Sequence, residues 1–316
     1  MTAGTIITVT LNAAIDRIIE VEGLTLGAHQ VGREVLRVAA GKGFNVSRAL
    51  AAMGVSSTAS GFLGAENRAI FDAELSARGI GDQFITLPGH TRENITITDP
   101  RSGQDTHIRD VGLAVNAAAM GQLARRLTQL AKPGNVIIFS GSLPPGISAD
   151  SFAALVESCI SGGARVAVDT NGPALSAVAG KRLWLVKPNV EELSQLVGRE
   201  LADDRARLQA AKSLADRISN VILTAGSQGA YLFAGGLMLH GVSEVDGQVV
   251  RNTVGCGDVM LAAYVASLWR GDEVRTAFIH AIACASAAAA SANPAGFDPV
   301  SAQTPRPKVR LTNLAL

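Results

Sequence analysis

Cysteine is scarce in this chain: Cys159, Cys256 and Cys284 are the only three in 316 residues, widely spaced and odd in number. That count argues against a disulfide framework or a zinc site and for a reducing compartment. An excess of charge is also lacking, since 28 basic residues face 27 acidic ones. No broad electrostatic footprint for nucleic acid or an anionic membrane follows, so any anion must be held by a few placed groups. The N-terminus has no basic segment ahead of an apolar one, and Asn12 and Asp16 interrupt its early apolar stretch. No signal peptide is expected. The longest membrane-like stretch, Ala281 to Ala292, is mostly Ala and Ser, too short to span a bilayer, and reads as a buried helix. A soluble cytoplasmic protein is expected. Two nucleotide signatures are missing as well. There is no G-x-x-x-x-G-K-[ST], which excludes a P-loop enzyme, and no G-x-G-x-x-G opening a helix, which weighs against a dinucleotide oxidoreductase.

What the chain does have is apolar residues, 47% of the total, enough for a large core. Short β-branched runs (Ile6–Leu11, Val136–Phe139, Val166–Val168, Leu183–Val186, Val221–Leu223) read as buried strands. Amphipathic stretches such as Ser151–Ile160 and Arg205–Ile218 lie between them. The alternation predicts an α/β three-layer sandwich with a mainly parallel central sheet, a fold that binds ligands beyond the carboxyl ends of its strands. Two regions break the pattern. Residues of about 13–38 and 91–111 alternate polar and apolar with few helix signals. Each reads as a strand pair leaving the main body, and the two pairs form either one small lid sheet or two separate hairpins.

Three motifs carry candidate chemistry, each with a plainer alternative. Asn252-Thr253-Val254-Gly255-Cys256-Gly257-Asp258 precedes an apolar helix, Val259–Trp269, ended by Arg270 and Gly271. Its glycines let backbone N–H groups turn inward at a helix N-terminus, which suits a phosphoryl group, and Asp258 there is either a general base or a cap. Gly41-Lys42-Gly43-Phe44-Asn45 leads into a helix expected from Val46 to Met53. Lys42 and Asn45 either meet a ligand or are, respectively, solvated and capping. Lys187-Pro188-Asn189-Val190-Glu191-Glu192 follows a buried strand, and its Asn189 and Glu192 either orient waters around Mg²⁺ or form a capping box.

Taken together, in this order and spacing, the motifs resemble the ribokinase-like (PfkB) sugar kinases over essentially the whole chain. Thr10–Asp16, Thr91–Asn94 and Ser140–Gly146 resemble the hexose-phosphate branch, which phosphorylates fructose 1-phosphate, tagatose 6-phosphate or fructose 6-phosphate. The resemblance implies one ribokinase-like kinase domain spanning residues 1–316, with ATP and Mg²⁺ as cofactors. It implies Asp258 as base, with an anion hole from the N–H groups of Gly255, Cys256 and Gly257. Asp16, Gly41 and Asn45 would hold sugar hydroxyls, while Lys42, Arg92 and Ser142 would surround the existing phosphate. Lys187, Thr224, Gly226 and Gly229 would serve the nucleotide, and Asn189 and Glu192 the Mg²⁺ through water. Commonly such kinases dimerise through their lids. Fructose 1-phosphate is the first-choice substrate; a non-catalytic sugar-phosphate-binding regulator on the same fold is the alternative of another class. Three departures stand out: Ala40 where the branch usually has Gly, Cys256 where it has Ala or Ser, and Val259 where it often has Ser. Cys256 at a helix N-terminus is expected either to have a depressed thiol pKa and react, or to be a packed, inert filler.

Overall fold

The computed structural model describes residues 4–244, 253–291 and 308–314. In chain order the strands are β1 (Ile6–Thr10), β2 (Ala14–Glu20), β3 (Arg33–Ala40), β4 (Ser57–Gly64), β5 (Gly81–Leu87), β6 (Arg92–Asp99), β7 (Gln104–Arg109), β8 (Val136–Ser140), β9 (Arg165–Asp169), β10 (Leu185–Val186), β11 (Asn220–Thr224), β12 (Ala230–Ala234), β13 (Leu237–Glu244) and β14 (Lys308–Asn313). The helices are α1 (Lys42–Ala52), α2 (Ala69–Arg78), α3 (Ala117–Leu130), α4 (Ala149–Ser161), α5 (Gly172–Val178), α6 (Val190–Val197), α7 (Asp204–Ala215), α8 (Cys256–Arg270) and α9 (Val274–Ala290).

Ten strands form one sheet in the order β14-β13-β12-β11-β10-β9-β8-β1-β4-β5. From β11 to β5 every neighbour is parallel, and β12, β13 and β14 add an antiparallel edge. Strand side chains alternate between the faces, so each strand feeds two cores. Ile7, Val9, Ile137, Phe139, Val166 and Val168 pack beneath α3, α4 and α5. Ile6, Val136, Ile138 and Ala167 pack on the other side against α1, α8 and α9. This sandwich is the expected fold class. The Ala-rich α9 is buried as anticipated through Ala288, and Ala292 lies outside the described residues. Among the described residues no helix is long and apolar enough to cross a membrane.

The two irregular regions form one sheet, β3-β2-β6-β7. Its outer pairs are antiparallel hairpins, and its centre is a parallel β2–β6 pairing that sets Asp16 opposite Asn94. The separate-hairpin alternative is thereby excluded. At its root Ala13 and Ile15 join Phe44, Phe71 and Phe84 in a third core.

One helix boundary differs from expectation. α1 begins at Lys42 instead of Val46. Gly41, at φ +117°, turns the chain directly from β3 into the helix. Lys42 and Asn45 therefore occupy the first turn of α1, and Asn45 is not its cap.

Candidate active site

Because β8, β9 and β10 are parallel and in register, Ser140 and Asp169 lie side by side at their carboxyl ends, with Lys187 one residue past β10. Asp169 is 1% exposed. Its Oδ2 lies 3.3 Å from Lys187 Nζ and its Oδ1 3.5 Å from Lys42 Nζ. Lys42 Nζ also lies 4.0 Å from Glu192 Oε1. Lys42 is therefore an ion-pairing group of the cluster.

Facing this edge, α8 starts after Gly255, which takes the left-handed conformation, and carries Asp258 in its first turn. Asp258 is 4% exposed and accepts a hydrogen bond at 2.9 Å from Asn45 Nδ2. Two glycine motifs more than 200 residues apart thus meet. Asn252 lies outside the described residues.

The two buried carboxylates have opposite electrostatics. Burial alone would raise Asp169, but the Lys187 and Lys42 ammonium groups hold it below the ordinary carboxylate range. Asp258 is pushed up to about 7 by burial and then by the Asp169 charge, against the Asn45 hydrogen bond and the two lysines. Burial would likewise lower Lys42, but Asp169, Asp258 and Glu192 outweigh it and keep the ammonium charged. A buried carboxyl poised near neutrality beside an ionised one is the arrangement of a general base.

The small sheet supplies another wall. Asp16 Oδ1 accepts from Asn94 Nδ2 at 2.9 Å. Arg92 donates to the carbonyls of Ala13, Asp110 and Asn12 at 3.3, 3.0 and 3.2 Å. Three of its five N–H donors are spent this way, which fixes the guanidinium plane and leaves one N–H on each terminal nitrogen. Asn12 Nδ2 reaches Ser142 Oγ at 3.3 Å and the Val111 carbonyl at 3.2 Å, so Ser142 and Arg92 share one support.

Asn189 and Glu192 form a reciprocal capping box: Glu192 N donates to Asn189 Oδ1 at 2.7 Å, and Asn189 N donates to Glu192 Oε2 at 2.9 Å. The plainer expectation for this pair is therefore realised, and Glu192 Oε1 is the oxygen turned toward Lys42. Next to it opens a cavity of about 300 Å³ lined by Asn189, Val190, Glu191, Arg207, Thr224, Ala225, Gly226 and Gln228. Thr224 and Gly226 are part of this lining. Gly229 is not in this lining; it takes φ +88°, and a Cβ there would lie 2.2 Å from the Gly241 carbonyl.

Of the two expectations for Cys256, the raised thiol pKa accords with the packed, inert filler. The thiol is half-buried, and burial followed by the Asp258 charge pushes its pKa up to about 11. Desolvation and a carboxylate two residues away overcome the helix N-terminus. Sequence reasoning missed Asp169, Asn12, Asn94 and Arg109. Arg109 pairs with Asn94 across the β6–β7 ladder and adds positive charge beside Arg92. A carboxylate ending a buried parallel strand was the readable sign of Asp169; Asn12 and Asn94 lie inside the Thr10–Asp16 and Thr91–Asn94 motifs, and Arg109 has no sign in spacing alone.

The chain matches the pfkB family carbohydrate kinase profile over residues 8–299. It is 40% identical over 271 residues to a 1-phosphofructokinase of Rhodobacter capsulatus, covering 82% of each chain. It is 35% identical over 259 residues to a 1-phosphofructokinase of Vibrio cholerae, covering 81% of this chain and 80% of that one. The solved structure of phosphofructokinase-2 from Escherichia coli in complex with potassium superposes with a TM-score of 0.90 at 26% identity, covering 95% of this chain and 97% of that one. A profile spanning nearly the whole length, on a fold whose glycine motifs converge on a buried carboxylate, means that the chain belongs to the pfkB family of carbohydrate kinases.

Proposed function

We propose that this kinase transfers the γ-phosphoryl group of ATP to a hydroxyl of fructose 1-phosphate, giving fructose 1,6-bisphosphate. The observation that carries the reading is Asp258 at the start of α8, hydrogen-bonded to Asn45 and raised to about 7 first by burial and then by the Asp169 charge, against two lysines. Phosphoryl transfer asks for an in-line hydroxyl, neutralised charge and little water. Asn45 and Asp16 hold the sugar, and Asp258 takes the proton of the attacking hydroxyl. The Gly255–Gly257 backbone and Lys187 absorb charge on the phosphoryl oxygens. The remaining N–H pair of Arg92, with Ser142 and Lys42, grips the sugar's existing phosphate; Arg92 and Ser142, brought together through Asn12, favour a phosphosugar over a neutral sugar. The nucleotide lies along the cavity bordered by Thr224 and Gly226.

The donors fit a hydrated Mg²⁺. Glu192 Oε1 is an oxygen outside the capping box, and hard oxygen donors suit this ion. When bound, Mg²⁺ neutralises phosphate charge; Asn189 and Glu192 would hold its waters.

The small sheet acts as a lid over the sugar side. Leu26 and Val31 in its β2–β3 loop are 95% and 96% exposed, which supports packing against the lid of a second copy. Reduced cysteines and an ATP-dependent reaction support a cytoplasmic location.

A panel of about ten phosphosugars with ATP and Mg²⁺, read by ADP release and product identification, tests the function. Fructose 1-phosphate should give the highest kcat/KM. Equal turnover of unphosphorylated fructose or ribose would overturn the phosphosugar reading, and binding without turnover of any sugar would favour a regulator.

A further inference from the structure

Arg48 is a charged side chain only 5% exposed, in a helix whose other contributions to the site are accounted for, and the transfer described above makes no use of it. Three of its five N–H donors are nonetheless directed. Nη1 donates to Asn45 Oδ1 at 3.2 Å, Nη2 to the Ala39 carbonyl, and Nε to Glu74 Oε2 at 3.4 Å. The Phe44 ring centroid lies 5.3 Å from the guanidinium carbon, and Glu74 Oε2 also accepts from Arg78 Nε at 2.7 Å. Arg48 is thus clamped by strand, helix and ring, with one edge on Asn45.

That edge decides which way the Asn45 amide faces. An asparagine side chain has an acceptor and a donor end of nearly the same shape, so packing alone hardly distinguishes its two orientations. Arginine has donors only. With Arg48 in place, Oδ1 must face it, and the NH₂ group must face Asp258, as observed at 2.9 Å. The flipped amide would set its carbonyl oxygen against the Asp258 carboxylate and strand the guanidinium opposite an NH₂ group. Both contacts would be lost together.

We propose that Arg48 is a positioning residue: by donating only to the Oδ1 end of Asn45, it aims the amide donor at the Asp258 carboxylate. The assignment rests on the reading of Asp258 as base. A structural role alone would not need this edge, because a buried ion pair such as Arg48–Glu74 is often replaceable by apolar side chains at little loss. The other groups facing Asp258 are Lys42 from α1, Asp169 from β9 and Lys187 beyond β10. None of them touches Arg48.

The test is a double-mutant cycle in the full-length enzyme: Arg48→Met, Asn45→Ala and both together. The readouts are kcat and KM with fructose 1-phosphate and ATP, thermal unfolding, and the carboxyl titration of Asp258 followed by ¹³C NMR without ligands. Arg48→Met should lower kcat about tenfold, roughly one hydrogen bond to a charged group, and leave the ATP KM within about twofold. It should also move the Asp258 titration upward from its value of about 7, since a donor is lost. In the Asn45→Ala background the same substitution should change neither kcat nor the titration further. An additive cycle, or an Asp258 titration unmoved by Arg48→Met, overturns the proposal. Should Arg48→Met fail to fold, Arg48→Gln carries the cycle, because glutamine offers both donor and acceptor and so loses the discrimination. If the wild type turns over no sugar phosphate, the functional reading falls, and the ligand-free titration cycle still decides the role of Arg48.

Discussion

The ammonium of Lys187 sits 3.3 Å from Asp169 and against Gly257: a Cβ added at Gly257 would come within 3.0 Å of Nζ. The lysine and the start of α8 are in contact with no room to spare. Gly257→Ala separates stability from activity for this reason. Alanine in a helix is favoured over glycine by about 1 kcal/mol, so Tm should hold or rise. Displacing Nζ by a few tenths of an ångström should still lower kcat, by about tenfold or more, because positioning is most of what transfer needs. A Gly257→Ala enzyme with normal kcat would show that Lys187 takes no part in transfer.

Asp258→Asn should lower kcat by roughly 10²–10⁴, the usual worth of a general base, with little change in ATP affinity. Its stability effect depends on pH. A carboxyl raised to about 7 in the folded chain and lower in the unfolded one keeps its proton longer when folded. The contribution is favourable below the unfolded value and is lost as pH rises through 7. The asparagine variant should therefore unfold at a higher temperature than the wild type at pH 8, with the difference shrinking toward pH 5. Unfolding curves at the two pH values check the sign, and a wild type that is the more stable at pH 8 would contradict it.

Arg92→Ala should raise the KM for the sugar phosphate about 10- to 100-fold, as expected for charge-assisted hydrogen bonds, and leave the ATP KM nearly alone. Arg92→Lys should rescue little. A single ammonium cannot satisfy the Ala13, Asn12 and Asp110 carbonyls and still present a pair of donors to phosphate. Full recovery with lysine would mean that charge alone matters here.

Cys256 should be sluggish toward iodoacetamide. With the thiol at about 11, only roughly one molecule in a few thousand is thiolate near pH 7.5. Wild type and Cys256→Ala should lose activity at the same slow rate. Rapid loss in the wild type, prevented by the substitution, would favour the activated thiol, the other of the two sequence-based expectations.

Much of this molecule was legible before its structure. Runs such as Val136–Phe139 and Val221–Leu223 are strands because buried parallel strands need continuous apolar residues, and that pattern is local. β4 escaped notice because Ser57-Thr58-Ala59-Ser60-Gly61 carries no β-branched run, and the pairing with β1 and β5 overrides its weak propensity. The glycine motifs pointed to the candidate site, yet not to the charge arrangement inside it. Asp169 acquires its meaning from Lys42 and Lys187, which spacing along the chain does not bring together. Cys256 shows the converse: the helix terminus is written in the sequence, whereas the desolvation that outweighs it exists only after folding.

The parallel centre of the small sheet has a kinetic consequence. Asp16 and Asn94 are 78 residues apart, and β2 and β6 emerge directly after β1 and β5 of the main sheet. Closing so long a loop is entropically costly until β1, β4 and β5 have brought its ends together. The β2–β6 ladder should thus be a late event on the folding path, with mutations there speeding unfolding more than they slow folding. By the same logic it is among the first backbone to open under native conditions. The wall that carries Asp16 and Arg92 can then exchange its amide protons while the ten-stranded sheet keeps its own.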